Sequence, residues 1–294
     1  MKTNLDTLLT ALYVFIDDHV APRHRIGRPP RLSDAELLCL AVAQVLLGFP
    51  SARHWHRFAG SRLRHLFPYL PGQSGYNKRL NTAGPLISQV IGALAGQVPS
   101  WHDDLRLIDS TPVPCAASRE TVKRSALAGT AGYGYCASHS RFFWGLRLYL
   151  LTTAEGMPVT WCLANPKLGE REVVRAMLGR DPHLVRRGQV ILGDKGFAGA
   201  AFEAFVTDEL GAHLVRPDRR GEPARFGRLA RVRQWIEAVI DTLKGQLSLE
   251  QHGARTEAGV FARTDQRLLA LATAIWHNWA INAPIKRSLI AYDH

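Results

Sequence analysis

The stretch Gln189-Val190-Ile191-Leu192-Gly193-Asp194-Lys195-Gly196-Phe197 decides how this chain is read. Val190 to Leu192 is a short apolar run bounded by glycine, which has the length and composition of a buried strand rather than a helix. The strand closes on an acid, Asp194. Gly193 and Gly196 on either side let a substrate backbone come close. Leu105-Arg106-Leu107-Ile108-Asp109 has the same form and is followed by Ser110-Thr111-Pro112. In an α/β sheet the carboxyl ends of the strands face the ligand crevice. Two acids ending neighbouring strands therefore place hard oxygen ligands side by side, an arrangement suited to Mg²⁺ or Mn²⁺.

Outward from these strands the pattern alternates. Phe142–Thr153 and Met157–Ala164 read as a hairpin around Glu155-Gly156, and a helix starts near Glu170. Ala200–Gly211 reads as a helix stopped by glycine, and Ala212–Pro217 as a strand closed by proline. An amphipathic helix is expected over about residues 229–247 and an apolar one over about 259–282, the latter packing Leu268, Leu269, Leu271, Ala272, Ile275, Trp276 and Trp279. The order predicts an α/β fold with a mixed sheet covered by helices.

The amphipathic helix supplies a third acid. At about 100° per residue, Arg233, Glu237 and Lys244 fall near 0°, 40° and 20° of one another, so one narrow face carries base, acid and base. Val232, Ile236, Val239, Ile240 and Leu243 form the apolar side. A solvated face with an Arg233–Glu237 pair is the plain reading of that pattern. The functional reading is a third carboxylate brought to the two strand ends. Transfer at a phosphodiester needs acids from separate elements to hold two divalent ions, with cations on the flanking phosphates. Asp241, one turn on, lies at the edge of the face and fits less well than Glu237. His102-Asp103-Asp104 precedes its strand and reads as a solvated loop.

The first hundred residues read as helices. Leu5, Leu8, Leu9, Leu12, Phe15 and Ile16 recur at helical spacing, and Ser33-x-x-Glu36 forms a capping box ahead of an apolar run. Gly48-Phe49-Pro50 breaks that run, and Ser51 caps a second helix bearing Arg53, His54, His56 and Arg57. The pair suits a helix-turn-helix or an ordinary helical hairpin. A further basic patch, Tyr76-Asn77-Lys78-Arg79-Leu80, follows.

Of 294 residues 46% are hydrophobic, which excludes a disordered chain. Lys and Arg total 37 against 25 acids, a net charge of +12, and this points to a polyanionic partner, nucleic acid first. Cys39, Cys115, Cys136 and Cys162 are scattered without a C-x-x-C pair, which suits a reducing cytosol. The amino-terminal run lacks a cleavage pattern, and the longest apolar stretch is too short to span a membrane. Residues 216–233 carry seven arginines against Asp218 and Glu222, and read as a phosphate-gripping arm ahead of the amphipathic helix.

At these residues the chain resembles the DDE transposases of bacterial insertion sequences, with their RNase H-like, retroviral-integrase-type catalytic domain. The first acid stands in L-I-D-S-T-P, the second in L-G-D-K-G-F, and the third in R-x3-E-x6-K (Arg233, Glu237, Lys244). The separations are 194 − 109 = 85 and 237 − 194 = 43 residues. The fuller signature, Y-x2-R-x3-E-x6-K, has a tyrosine where this chain has Ala230.

The resemblance implies an RNase H-like mixed five-stranded sheet flanked by helices. It places a helical, helix-turn-helix-like DNA-binding region at 1–100 and the catalytic domain with its C-terminal helix at 101–294. It implies that Asp109, Asp194 and Glu237 bind two Mg²⁺ ions, with Mn²⁺ able to substitute. The enzyme is then expected to bind its element's terminal inverted repeats, hydrolyse the phosphodiester at the ends and join the freed 3′-hydroxyl to target DNA. DNA contacts are expected from Arg53, Arg57, Lys78, Arg79, Lys195, Arg228, Arg231, Arg233 and Lys244. A homodimer or larger assembly on paired ends, a cytoplasmic, nucleoid-associated location and no membrane partner complete the expectation. A metal-dependent nuclease without joining and a catalytically silent DNA-binding protein remain open at this point.

Overall fold

A computed structural model describes residues 4–21, 27–136, 140–227 and 229–285. The chain forms two compact units, Met1–Val98 with Thr242–His294, and Pro99–Asp241.

The first unit begins with α1 (Leu5–His19), α2 (Asp34–Leu46), α3 (Ala52–Arg62), α4 (Gln73–Leu80) and α5 (Gly84–Gln97). The expected capping box opens α2: the Glu36 amide donates to Ser33 Oγ at 3.0 Å, and the Ser33 amide donates to the Glu36 carboxylate at 2.5 Å. Ser51 caps α3. The basic segment at 76–80 lies inside α4.

The second unit holds β1 (Leu105–Ala116), α6 (Arg119–Lys123), β2 (Gly132–Cys136), β3 (Arg141–Thr153), β4 (Pro158–Ala164), α7 (Glu170–Arg180), β5 (Val190–Leu192), α8 (Ala200–Ala204) and β6 (His213–Val215). Helix α9 (Ala230–Lys244) begins in this unit and ends in the first. Helix α10 (Glu257–Ala280) belongs to the first unit, where it packs on α5 and α2. Its buried side, including Leu268, Leu271, Ile275 and Trp276, is the core stripe expected; Trp279 is only partly buried.

The sheet runs β2-β3-β1-β5-β6, with β4 also paired to β3. β1, β3 and β4 form an antiparallel meander, and β1, β5 and β6 are parallel. This is an RNase H-like mixed sheet flanked by helices. It differs from expectation in two ways. A sixth strand, β2, follows β1 in the chain and adds to the sheet edge beyond β3. β1 also does not stop at Asp109 but continues to Ala116 along β3. Two prolines in that extension, Pro112 and Pro114, argue against a strand from sequence. They are tolerated because the pairing of β1 with β5 ends at Leu107, so from there one edge of β1 needs no N–H.

One face of the sheet, through Ile108, Tyr149, Leu151 and Ile191, packs on Val173, Val174, Met177, Phe202 and Phe205 of α7 and the α8 region. That core fixes the strands from which the acids project.

Candidate active site

The position of the two strand-end acids follows from one register. β1 and β5 run parallel with Leu105↔Val190, Arg106↔Ile191 and Leu107↔Leu192 as partners. Asp109 is two residues past Leu107, and Asp194 two past Leu192. With the period-two alternation of strands, both acids leave the sheet on the same side at the point where β1 and β5 part. Each carboxylate is steadied by the amide that follows it: Ser110 N–H donates to Asp109 Oδ1 at 2.7 Å, and Lys195 N–H to Asp194 Oδ1 at 2.5 Å.

The space beside Asp194 is tight at both flanking glycines, against the core at Gly193 and against one carboxylate tip at Gly196. A Cβ on Gly193 would lie 2.7 Å from the Phe197 ring and 3.0 Å from Ile108 Cγ2. A Cβ on Gly196 would lie 2.7 Å from Glu170 Oε2.

That second contact introduces an acid the sequence reading missed. Glu170 opens α7, and its Oε1 accepts the Ser110 hydroxyl at 2.6 Å. Ser110 Oγ in turn accepts from Arg147 Nη1 at 3.1 Å. The available signal was an acid in the first turn of a helix that directly follows the hairpin, but such acids are common because they suit the helix dipole.

Electrostatics tie these groups together. Burial pushes the Asp109 carboxyl up to about 6; the Ser110 amide opposes this, Asp194 and Glu170 push the same way as burial, and Arg233 opposes. Burial, more than the neighbouring acids, accounts for the rise.

Arg233 on α9 is the cation on the other side. Its Nη2 lies 3.5 Å from Asp194 Oδ1 and 3.7 Å from Glu237 Oε1. Glu237 itself is exposed, and the buried side of α9 is formed by Ile236, Val239, Ile240 and Leu243. The structure thus brings together Asp109, Asp194, Glu170 and Arg233, and links Glu237 to them through Arg233. Among the described residues no three His, Cys, Asp or Glu side chains close around a single metal position. The donor chemistry nonetheless fits a hard cation, since the ligand-type atoms are carboxylate oxygens.

The remaining predicted residues divide clearly. Arg53, Arg57, Lys78, Lys195 and Arg231 are exposed. Arg79 is engaged internally, pairing with Asp34 at 2.8 Å and donating to the Leu32 and Ser33 carbonyls. Lys244 lies 3.9 Å from Glu250. Arg228 lies outside the described residues. Asp241 is exposed. In the 102–104 segment, backbone carbonyls of His102 and Asp103 accept from Arg186, Arg106 and Gln189, so the segment works as a brace.

The arginine-rich arm is more internal than its composition suggests. Arg216 is buried between Glu203 at 2.8 Å and Glu222 at 2.7 Å. Arg219 donates to the carbonyls of Lys195 and Ala198, and Arg225 pairs with Glu203 and Asp218. These arginines pin the arm against the turn that carries Asp194.

Residues 100–273 match the family model of the transposase DDE domain. The chain belongs to that transposase family. Asp109, Asp194 and Glu237 all fall within the matched residues. No curated protein matches the chain significantly. No helix among the described residues of this transposase is long and apolar enough to cross a membrane.

Proposed function

We propose that this transposase cuts DNA at the ends of its own mobile element and joins the freed 3′-hydroxyl to target DNA, with Asp109, Asp194 and Glu237 as the catalytic acids. The observation that carries this reading is the parallel register Leu107↔Leu192, which brings two carboxylates to one side of the sheet at the parting of β1 and β5. A pair of hard divalent cations, Mg²⁺ or Mn²⁺, supplies activation of the attacking oxygen and stabilisation of the leaving one when bound. Asp109 and Asp194 would hold them from the strand ends and Glu237 from α9.

The chain's own residues do the rest. Glu170 and Arg147 fix Ser110, whose amide orients the Asp109 carboxylate. Arg233, 3.5 Å from Asp194 and 3.7 Å from Glu237, would take up a phosphate oxygen. Exposed Lys195, Arg231, Arg53, Arg57 and Lys78, together with Lys244 and Arg228, are assigned to the DNA backbone. The first unit supplies recognition of the terminal repeats, and two copies act on paired ends.

The test uses the purified full chain with duplex DNA taken from the two flanks of its own gene, nicked at the element boundary, in Mg²⁺ or Mn²⁺. Joined products are expected from the wild type. Asp109→Asn, Asp194→Asn and Glu237→Gln should lose cutting and joining while keeping DNA binding. Full cleavage by Asp194→Asn would refute the assignment, and cutting without joined products would favour a nuclease.

A further inference from the structure

The added strand β2 is built backwards. An edge strand ordinarily turns its large apolar side chains inward and shows small or polar ones to water. Here Gly132, Gly134 and Cys136 face inward, and Tyr133 and Tyr135 face outward, 51% and 47% exposed. Their neighbour across the ladder, Phe142, is 79% exposed, and its ring lies 5.0 Å from that of Tyr135. Trp144, opposite Tyr133, continues the same row but is buried.

The inward glycines are there because the strand is pressed down hard. A Cβ on Gly134 would lie 2.6 Å from the Phe143 ring and 2.7 Å from Pro166 Cβ. The rings outside therefore stand on a rigid base. An exposed aromatic row held this firmly gains nothing for the fold, since leaving such area in water forgoes burial.

Two further observations say what covers it. The segment around the row is basic: residues 117–147 hold Arg119, Lys123, Arg124, Arg141 and Arg147 against Glu120 alone. The row is also continuous with the acidic site. Arg147 donates through Nη2 to the Tyr135 carbonyl at 3.1 Å and through Nη1 to Ser110 Oγ, the residue after Asp109. Exposed flat rings on a basic segment, next to Arg147, match unpaired DNA bases, which offer π-faces on an anionic strand.

We infer that Tyr133, Tyr135 and Phe142 form a stacking platform for unpaired bases of the DNA whose backbone is cut at Asp109. The inference rests on the transposase reading above and adds a contact to single-stranded DNA that the acids do not make. Frayed or extruded bases next to the cleaved phosphate would stack on the rings, while the neighbouring arginines hold their phosphates.

The experiment measures binding of the full chain to a fluorescent oligo-dT strand and to a blunt duplex by anisotropy. The double variant Tyr135→Ser/Phe142→Ser should bind oligo-dT roughly tenfold to a hundredfold more weakly, with duplex affinity held within about twofold. Tyr135→Trp/Phe142→Trp should restore oligo-dT binding, which separates lost stacking from misfolding. Unchanged oligo-dT binding by the serine variant overturns the platform. So does an equal loss for duplex, or a change of oligomeric state with oligo-dT binding intact, which would make the row a contact between copies. A wild-type chain that binds duplex but not oligo-dT sinks the platform alone; one that binds neither sinks the transposase reading with it.

Discussion

Arg233 Nη2 stands 3.5 Å from Asp194 Oδ1, and the same nitrogen is 3.7 Å from Glu237 Oε1. A residue of α9 thus supplies the positive charge that two of the three proposed metal ligands share. Both distances are too long for hydrogen bonds, so the attraction is ionic and unlocked rather than a fixed fork. A divalent ion bound between these acids, as proposed above, would meet a resident cation.

Arg233→Gln should accordingly bind Mn²⁺ more tightly than the wild type in the absence of DNA, by roughly threefold to tenfold, because a repelling charge is gone. The same variant should lose most of its activity on element-end DNA, where the guanidinium has no replacement on the phosphate. Calorimetric titration with Mn²⁺ decides the first point. Weaker binding by the variant would mean that Arg233 organises the acids instead of competing for them.

Asp109 makes the fold sensitive to mild acid in an unusual direction. Its carboxyl sits at about 6 in the folded chain against 3.8 for a free aspartate, with burial the main cause. The folded state therefore holds a proton that the unfolded state gives up. The stability this confers is complete below about pH 3.8 and is lost as pH rises through about 6. Asp109→Asn, which cannot ionise, should exceed the wild type by about 1–3 kcal/mol at pH 7.5 without metal. Urea unfolding from pH 4.5 to 7.5 reads this as a widening gap between the two proteins. A constant gap would show that Asp109 is solvated. Added Mg²⁺ should narrow the gap at pH 7.5, since it binds only the folded wild-type site.

Much of this was legible in the sequence because it depends on local pattern. The two short apolar runs ending at Asp109 and Asp194 could be read, and so could the polar stripe of α9. Ser33 and Glu36 marked the start of α2. What was hidden depends on tertiary pairing. The prolines at 112 and 114 signal a strand end, and only the departure of β5 at Leu107 explains why β1 runs on. Gly132-Tyr133-Gly134-Tyr135 alternates with period two, but its inward positions are glycines, so β2 lacks the apolar core-facing pattern by which a strand is read. Glu170 looked like any first-turn acid, and its role appears only when Ser110 and Gly196 come beside it. Arginine content likewise did not tell a phosphate contact from a buried strut.

The last distinction predicts a split in salt dependence. Arg216 and Arg79 are spent on protein acids, whereas Arg57 and Arg231 are exposed. Arg57→Ala and Arg231→Ala should each reduce the slope of log affinity for duplex against log salt by about one. Arg216→Ala and Arg79→Ala should lower the melting temperature by several degrees and leave the slope unchanged. Anisotropy titrations across a salt series check all four. A reduced slope in Arg216→Ala, with the melting point held, would return that residue to the DNA surface.

The glycines beside Asp194 give the sharpest separation between fold and chemistry. A methyl on Gly193 meets Phe197 at 2.7 Å and Ile108 at 3.0 Å, both buried core side chains with nowhere to go. Gly193→Ala should cost about 1–3 kcal/mol through overpacking. A methyl on Gly196 meets only Glu170 Oε2, the tip of a flexible side chain. That tip can swing aside at little cost to the fold, but in swinging it releases Ser110 and, through Ser110, the amide that orients Asp109. Gly196→Ala should therefore melt within a few degrees of the wild type and still lose about tenfold or more in strand cleavage, the scale expected when a supporting contact to a catalytic group is displaced. Glu170→Gln, which keeps the size and the Ser110 bond, should retain most of the activity that Gly196→Ala loses. If Gly196→Ala melts as early as Gly193→Ala, the turn is a packing element and Glu170 has no part in placing the acids.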